Sequence, residues 1–454
     1  MEPLTEADFK RYYEDAARYL LKPWRTRPSP ESEPLIVGGD GAYFFDAAGR
    51  EYLDFLSQLF NVNLGIGNRK VVEAVKRQVE EINYTKNTFL NKPKILLAKR
   101  LAEVTSDELS KTFFSNSGTE ANEAAFKIAR VYTGRFKVIG LWGSYHGSTF
   151  ASMSAGGVAS NRSPFEPLVP GFFHVPPPYC YRCAFGLEYP GCGLRCARFL
   201  EESIKFHGPE TVAAFIADPV VVAAGVLVPP KEYWPTVREI CDKYDVLLIL
   251  DEVITGCGRT GRLFAHEHWG IVPDILTLAK GLSNACVPLG ATVMNREISE
   301  FVTERKVFMH GFTYSGHALA CAAGLAAIDA YIEGKVPENA AKVGEYLLDA
   351  LRGIQDRHRS VGDVRGLGLI EGVEFVRDKE TKEPLVAEDP EAPLEDRPLF
   401  ALSDGCLKEG LLLMPSMSGS TLRMAPPLII TEDDVDKAME ILERQIEKVE
   451  KRFL

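Results

Sequence analysis

No run of apolar residues in this chain is long enough to cross a bilayer. The stretch from Met1 to Leu21 mixes acidic, basic and aromatic residues where a secretory signal needs an apolar centre. These absences predict a cytoplasmic protein with no membrane partner. Basic charge is scarce as well, since 52 Lys and Arg stand against 63 Asp and Glu, a net charge of -11. A nucleic-acid partner needs a basic face to meet its phosphates, so a small-molecule partner is the better expectation. Cysteine is too sparse for a disulfide framework, at nine in 454 residues. Internal repeats and low-complexity tracts are lacking too.

What is present is an ordinary globular composition, 46% hydrophobic and 25% charged, with 38 Gly and 28 Pro for turns. A chain of 454 residues is too long for one simple core, which predicts a large domain with an accessory one. From Lys111 to Val293 short β-rich runs alternate with helical segments, the pattern of α/β architecture with a mostly parallel sheet. Strands are expected at 112–114, 136–141, 212–217, 246–250, 275–278 and 289–293. The run 246–250 is apolar on both faces, as a central parallel strand should be. Asp251 then sits at its C-terminal end, the edge where open α/β sheets bind ligands. Outside this region we expect an amphipathic helix at 6–21, a hairpin at 41–55 turning at Gly49, a strand at 368–375 and a solvated loop at 379–397. Thr431 caps a final helix whose first turn is acidic.

Four features carry chemistry. Lys280 ends an apolar strand and is followed by Gly281. Burying its ammonium is expensive, and an imine with an aldehyde would remove the cost, although a strand-end lysine can also snorkel to solvent. Asp251 can hold a pyridine nitrogen protonated, or simply cap a strand-to-loop junction. Taken together, the two residues lie at one sheet edge. Ser117, Gly118 and Thr119 follow a strand and open a helix: Ser117 and Glu120 have capping-box spacing, and the free N–H groups at the helix start favour a phosphate. A plain capped helix has the same look. Tyr145, with His146 and Gly147, follows another strand and could stack on a heteroaromatic ring, or be an ordinary tyrosine. Separately, Cys180, Cys183, Cys192 and Cys196 crowd a loop rich in Pro, Gly and Tyr. Their spacing suits a tetrahedral Zn²⁺, and structural thiols or local disulfides are the competing reading.

With these residues in hand, the chain resembles the class III aminotransferases of fold type I, the group of ω-amino acid, amine:pyruvate and taurine:pyruvate transaminases. The matching segments fall in family order over nearly the whole chain: 61–67, 115–122, 145–147, Asp218-Pro219, 251–253, Lys280-Gly281, 311–317 and 422–427. The resemblance implies a pyridoxal 5′-phosphate (PLP) enzyme with a large cofactor domain at 66–325 and a smaller α+β domain from 1–65 and 326–454. It implies that Lys280 carries PLP as a Schiff base and moves the proton, that Asp251 bonds the pyridine nitrogen, and that Val253 and Tyr145 pack on the two ring faces. Ser117, Gly118, Thr119 and His146 fall among the cofactor-holding positions. Thr313 would reach the phosphate of a neighbouring subunit, making a homodimer or higher even oligomer with shared sites. Arg423 matches the arginine that binds the acceptor's carboxylate, and Phe60 and Phe89 match pocket-lining positions, Phe89 from the partner chain. The implied reaction is ping-pong transfer of an amino group from an ω-amino acid or amine to an oxo acid such as pyruvate. A lyase or aminomutase on the same scaffold is the alternative. Asp218 stands where much of the family has Glu, so a direct pair with Arg423 is open.

Overall fold

The computed structural model describes residues 6–23, 33–106, 108–387, 389, 392–417 and 419–454. Its centre is a seven-stranded sheet built from β4 (Leu109–Ser115), β5 (Lys137–Leu141), β6 (Phe172–Val175), β7 (Val212–Ala217), β8 (Leu247–Asp251), β9 (Ile275–Leu278) and β10 (Gly290–Asn295). Their spatial order is β4-β10-β9-β8-β7-β5-β6. The pairs from β6 to β9 are parallel, whereas β10 runs antiparallel to both β9 and β4. Every residue of β7, β8 and β9 is buried, because helices cover both faces and leave no polar side to the strands. The helix Gly118–Thr133 is one of these covers, presenting Ala121, Ala124, Ala125, Ile128 and Ala129 to the core. Small residues there let it lie close to the sheet.

Two smaller sheets flank this unit. In the first, β1 (Ile36–Asp40), β2 (Tyr43–Asp46) and β3 (Glu51–Asp54) form a meander. Gly49 supplies the left-handed turn at φ 83, and the Asp46 carboxylate accepts from the N–H groups of Ala48 and Arg50. A fourth strand, β14 (Leu411–Leu412), joins β3 in parallel and ties the two ends of the chain together. The second contains β11 (Val361–Gly366), β12 (Glu371–Asp378), β13 (Glu383–Pro384), β15 (Met414–Pro415) and β16 (Thr421–Met424). The strand expected at 368–375 therefore starts later, at Glu371, because Gly368 occupies a turn at φ 63. The loop expected at 379–397 contains β13 and a short 3-10 turn, Leu394–Asp396. Thr431 caps Glu432–Phe453 as expected, accepting from Asp434 N.

Candidate active site

Neighbouring parallel strands bring the two central residues together. Asp251 ends β8 opposite Thr277 of β9, and Lys280 follows β9 by two residues, at the C-terminal edge. Lys280 adopts φ 48, a left-handed conformation costly for a residue with a side chain and characteristic of functional turns.

Asp251 is buried and fixed by three donors. Its Oδ2 accepts from Asn122 Nδ2 at 2.7 Å and faces His146 Nδ1 at 2.8 Å, while Oδ1 accepts from Val253 N at 3.0 Å. Asn122 is itself oriented, accepting from Thr277 Oγ1 at 2.8 Å and donating to the His146 carbonyl at 2.8 Å. Asp218, just past β7, completes the group, and one ligating atom each from His146, Asp218 and Asp251 lie within 4.8 Å of one another. Burial pushes Asp218 up to about 7, with the like charge of Asp251 helping and His146 opposing. For His146, burial disfavours the charge, but the bond to Asp251 and the charge of Asp218 outweigh it and raise its pKa. Spacing this close could hold a cation, but Asp251 is already satisfied by its three donors.

Lys280 feels the same cluster. Burial lowers its ammonium to about 8, against the pull of Asp251 and Asp218 and with help from Arg423. Its Nζ lies 5.7 Å from the centre of the Phe60 ring, and the Arg423 guanidinium lies 5.3 Å from the same ring. Phe60 is placed by an unusual turn in which Ser57, Gln58 and Phe60 all have positive φ. The Asp54 carboxylate stabilises that turn by accepting from the N–H groups of Leu56 and Gln58. Arg259, fully buried, joins the turn to the strand that carries Arg423: it donates to Ser57 Oγ and Asn63 Oδ1, and to the carbonyls of Pro426 and Leu369.

Arg423 lies on β16, 5% exposed. One of its nitrogens donates to the Pro415 carbonyl at 2.8 Å, while Nε is buried without a partner. Burial lowers the guanidinium to about 10. It makes no ion pair among the described residues, and Asp218 is turned to His146 and Asp251 instead. Among the described residues no ion pair joins Asp218 to Arg423, and Asp218 lies beside His146 and Asp251.

At the start of the helix Gly118–Thr133, Ser117 Oγ caps the helix by accepting from Glu120 N at 3.2 Å, and Glu120 reaches back to Asn116 N at 2.8 Å. The first turn leaves the N–H groups of Gly118 and Thr119 without helical acceptors. A Cβ on Gly118 would stand 2.8 Å from Val253, and one on Gly147 2.5 Å from Thr119 Oγ1, so both glycines permit close approach. Tyr145 is half-buried, with its hydroxyl 2.9 Å from Ser148 Oγ. A helix start, a fixed carboxylate and a lysine of lowered basicity are the donor set that a phosphorylated pyridine aldehyde requires.

Two expected residues stay apart from this cluster within the chain. Phe89 is 61% exposed, and Thr313 is exposed with its carbonyl accepting from Tyr84 Oη at 3.0 Å. Sequence reasoning gave no role to Arg259, Asn122 or Asp54. Asn122 had a signal, since it lies one helical turn after Gly118 and shares its face. Cys180, Cys183, Cys192 and Cys196 lie elsewhere, all reduced.

The class III aminotransferase family profile matches residues 28–446. The chain belongs to the class III aminotransferases, which are PLP-dependent transaminases of fold type I. It is 35% identical to putrescine–pyruvate aminotransferase of Pseudomonas aeruginosa over 91% of this chain and 90% of that one. It is 36% identical to taurine–pyruvate aminotransferase of Bilophila wadsworthia, covering 93% and 94%. Among solved structures, taurine:2-oxoglutarate aminotransferase from Bifidobacterium kashiwanohense, in complex with PLP and glutamate, superposes with a TM-score of 0.93 at 32% identity, covering all of both chains. No helix among the described residues is long and apolar enough to cross a membrane.

Proposed function

We propose that this enzyme moves an amino group from an ω-amino acid or amine to pyruvate by a ping-pong mechanism. The observation that carries the reading is Arg423, a buried guanidinium without a carboxylate partner among the described residues, beside the same Phe60 ring as Lys280. The charge of the Arg423 guanidinium reaches Lys280 and helps to lower its basicity. A monocarboxylate such as pyruvate satisfies one guanidinium, whereas a dicarboxylate calls for a second cation. Two of the relatives named above take pyruvate.

PLP, when bound, supplies an electron sink for the negative charge that develops at the substrate carbon. Lys280 Nζ would hold the cofactor and would take and return the substrate proton, a task suited to a group held at about 8. Asp251, kept in place by Asn122 and His146, would bond the ring nitrogen. Val253 and Tyr145 would pack against the ring, and Ser117, Gly118 and Thr119 would receive the phosphate. Arg423 takes the acceptor carboxylate and Phe60 shapes the donor pocket. The exposure of Thr313 and Phe89 fits a second copy of the chain completing each site, so the active unit is a homodimer or higher even oligomer.

Incubating the enzyme and PLP with putrescine, taurine or a simple amine, with pyruvate or 2-oxoglutarate as acceptor, tests the reading. Alanine formed one-for-one with loss of an amine supports it. Glutamate formation without alanine overturns the acceptor, and loss of donor without either points to a lyase or aminomutase.

A further inference from the structure

The loop at 176–194 joins β6 to the helix Arg195–His207 and contains no helix or strand. Loops of this length without structure of their own are uncommon in compact domains unless they serve a purpose. Cys180, Cys183 and Cys192 lie in it, and Cys196 opens the next helix. All four line one cavity of about 20 Å³, the space of a single water, together with Arg195 and the rings of Tyr179 and Tyr189. None is in a disulfide. The other five cysteines are scattered singly, and Cys241, Cys257, Cys321 and Cys406 are buried.

We propose that Cys180, Cys183, Cys192 and Cys196 bind a thiophilic metal through their thiolates, forming a centre apart from the Lys280 cleft that fastens the loop to the protein body. Zn²⁺ and an iron–sulfur cluster share this ligand chemistry. Each ligand that binds loses its S–H proton to solvent as the metal–sulfur bond forms, and neither Zn²⁺ nor a cluster inserted preassembled changes oxidation state in that exchange. Among the described residues only His146, Asp218 and Asp251 place three ligating atoms within 4.8 Å, so the sulfurs draw inward as the metal enters.

The loop is also tied to the small sheet. Tyr179 donates to Glu374 of β12, and Arg182 Nη2 lies 2.6 Å from Glu374 Oε1. Glu374 pairs across the sheet with Thr421, two residues before Arg423. A metal that closes the loop therefore steadies an anchor of the strand bearing Arg423.

The test is the metal content of holoenzyme purified under reducing, anaerobic conditions, compared with a Cys180→Ser/Cys192→Ser double variant. The wild type should carry about one Zn²⁺ per chain, or iron with acid-labile sulfide, and the variant at least tenfold less at unchanged PLP content. Zinc alone or iron with sulfide tells the two sources apart. Adding Zn²⁺ to metal-depleted wild type should release about four protons per ion, a signal that does not depend on the variant's folding. Wild-type enzyme with no stoichiometric metal and no proton release, whether its four thiols are free or paired as disulfides, overturns the proposal.

Discussion

Replacing Arg423 by Ala should slow acceptance of the amino group by pyruvate far more than its donation by a simple amine. The guanidinium is 5% exposed, has an unpartnered Nε and no ion pair among the described residues, so its charge is held ready for an incoming carboxylate. A charge-assisted hydrogen bond of this kind contributes about 1.5 to 3 kcal/mol, which is roughly tenfold to a hundredfold in kcat/KM for the oxo acid. A simple amine offers nothing for the guanidinium to hold, so its half-reaction should change less than about threefold, the part that reflects lost contact with the Phe60 ring. Arg423→Lys should recover little, because an ammonium supplies charge without the fork and also loses the bond to the Pro415 carbonyl. The assay is single-turnover absorbance of each half-reaction measured separately. Equal slowing of both would refute the reasoning and make Arg423 a support of the fold or the cofactor.

Gly118→Ala should raise the PLP dissociation constant by about tenfold, since a Cβ 2.8 Å from Val253 forces strain of roughly 1 to 3 kcal/mol at the helix start. Titrating the apoprotein with PLP by fluorescence checks this, and an unchanged constant would place the phosphate elsewhere. The rate of PLP capture by the apoprotein should rise with pH and level off above about 8, where Lys280 becomes neutral. The sign for stability is the same: with Lys280 at about 8 against its ordinary 10.5, the unfolded chain binds more protons in that window. Its contribution to apoprotein stability therefore increases from about pH 8 to 10.5, and Lys280→Met should flatten that slope in urea unfolding.

Sequence reasoning located the strands that are apolar throughout, and the structure places β7 and β9 at the expected bounds. It missed β6, a four-residue edge strand, only partly buried, whose Phe-Phe-His-Val composition carries no alternation. The reversed direction of β10 was also hidden, because periodicity reports which faces are buried and not which way a strand runs. At the site, Lys280 and Asp251 were legible as charged residues ending apolar runs. Their supports were not: Asn122 meets Asp251 across 129 positions, and Arg259 meets Pro426 across 167. Such contacts belong to the tertiary fold, and no local pattern announces them. Asp218 shows the same limit, since one methylene less than glutamate made a pair with Arg423 doubtful, yet nothing local pointed to its place beside His146.

Everything proposed for the cleft depends on Lys280 being the residue that holds PLP. Borohydride reduction of the holoenzyme, followed by digestion and mass mapping, tests it directly. One cofactor should be fixed per chain on the peptide containing Lys280, and none in Lys280→Ala. Label on another lysine, or an unaltered label in the alanine variant, would contradict it.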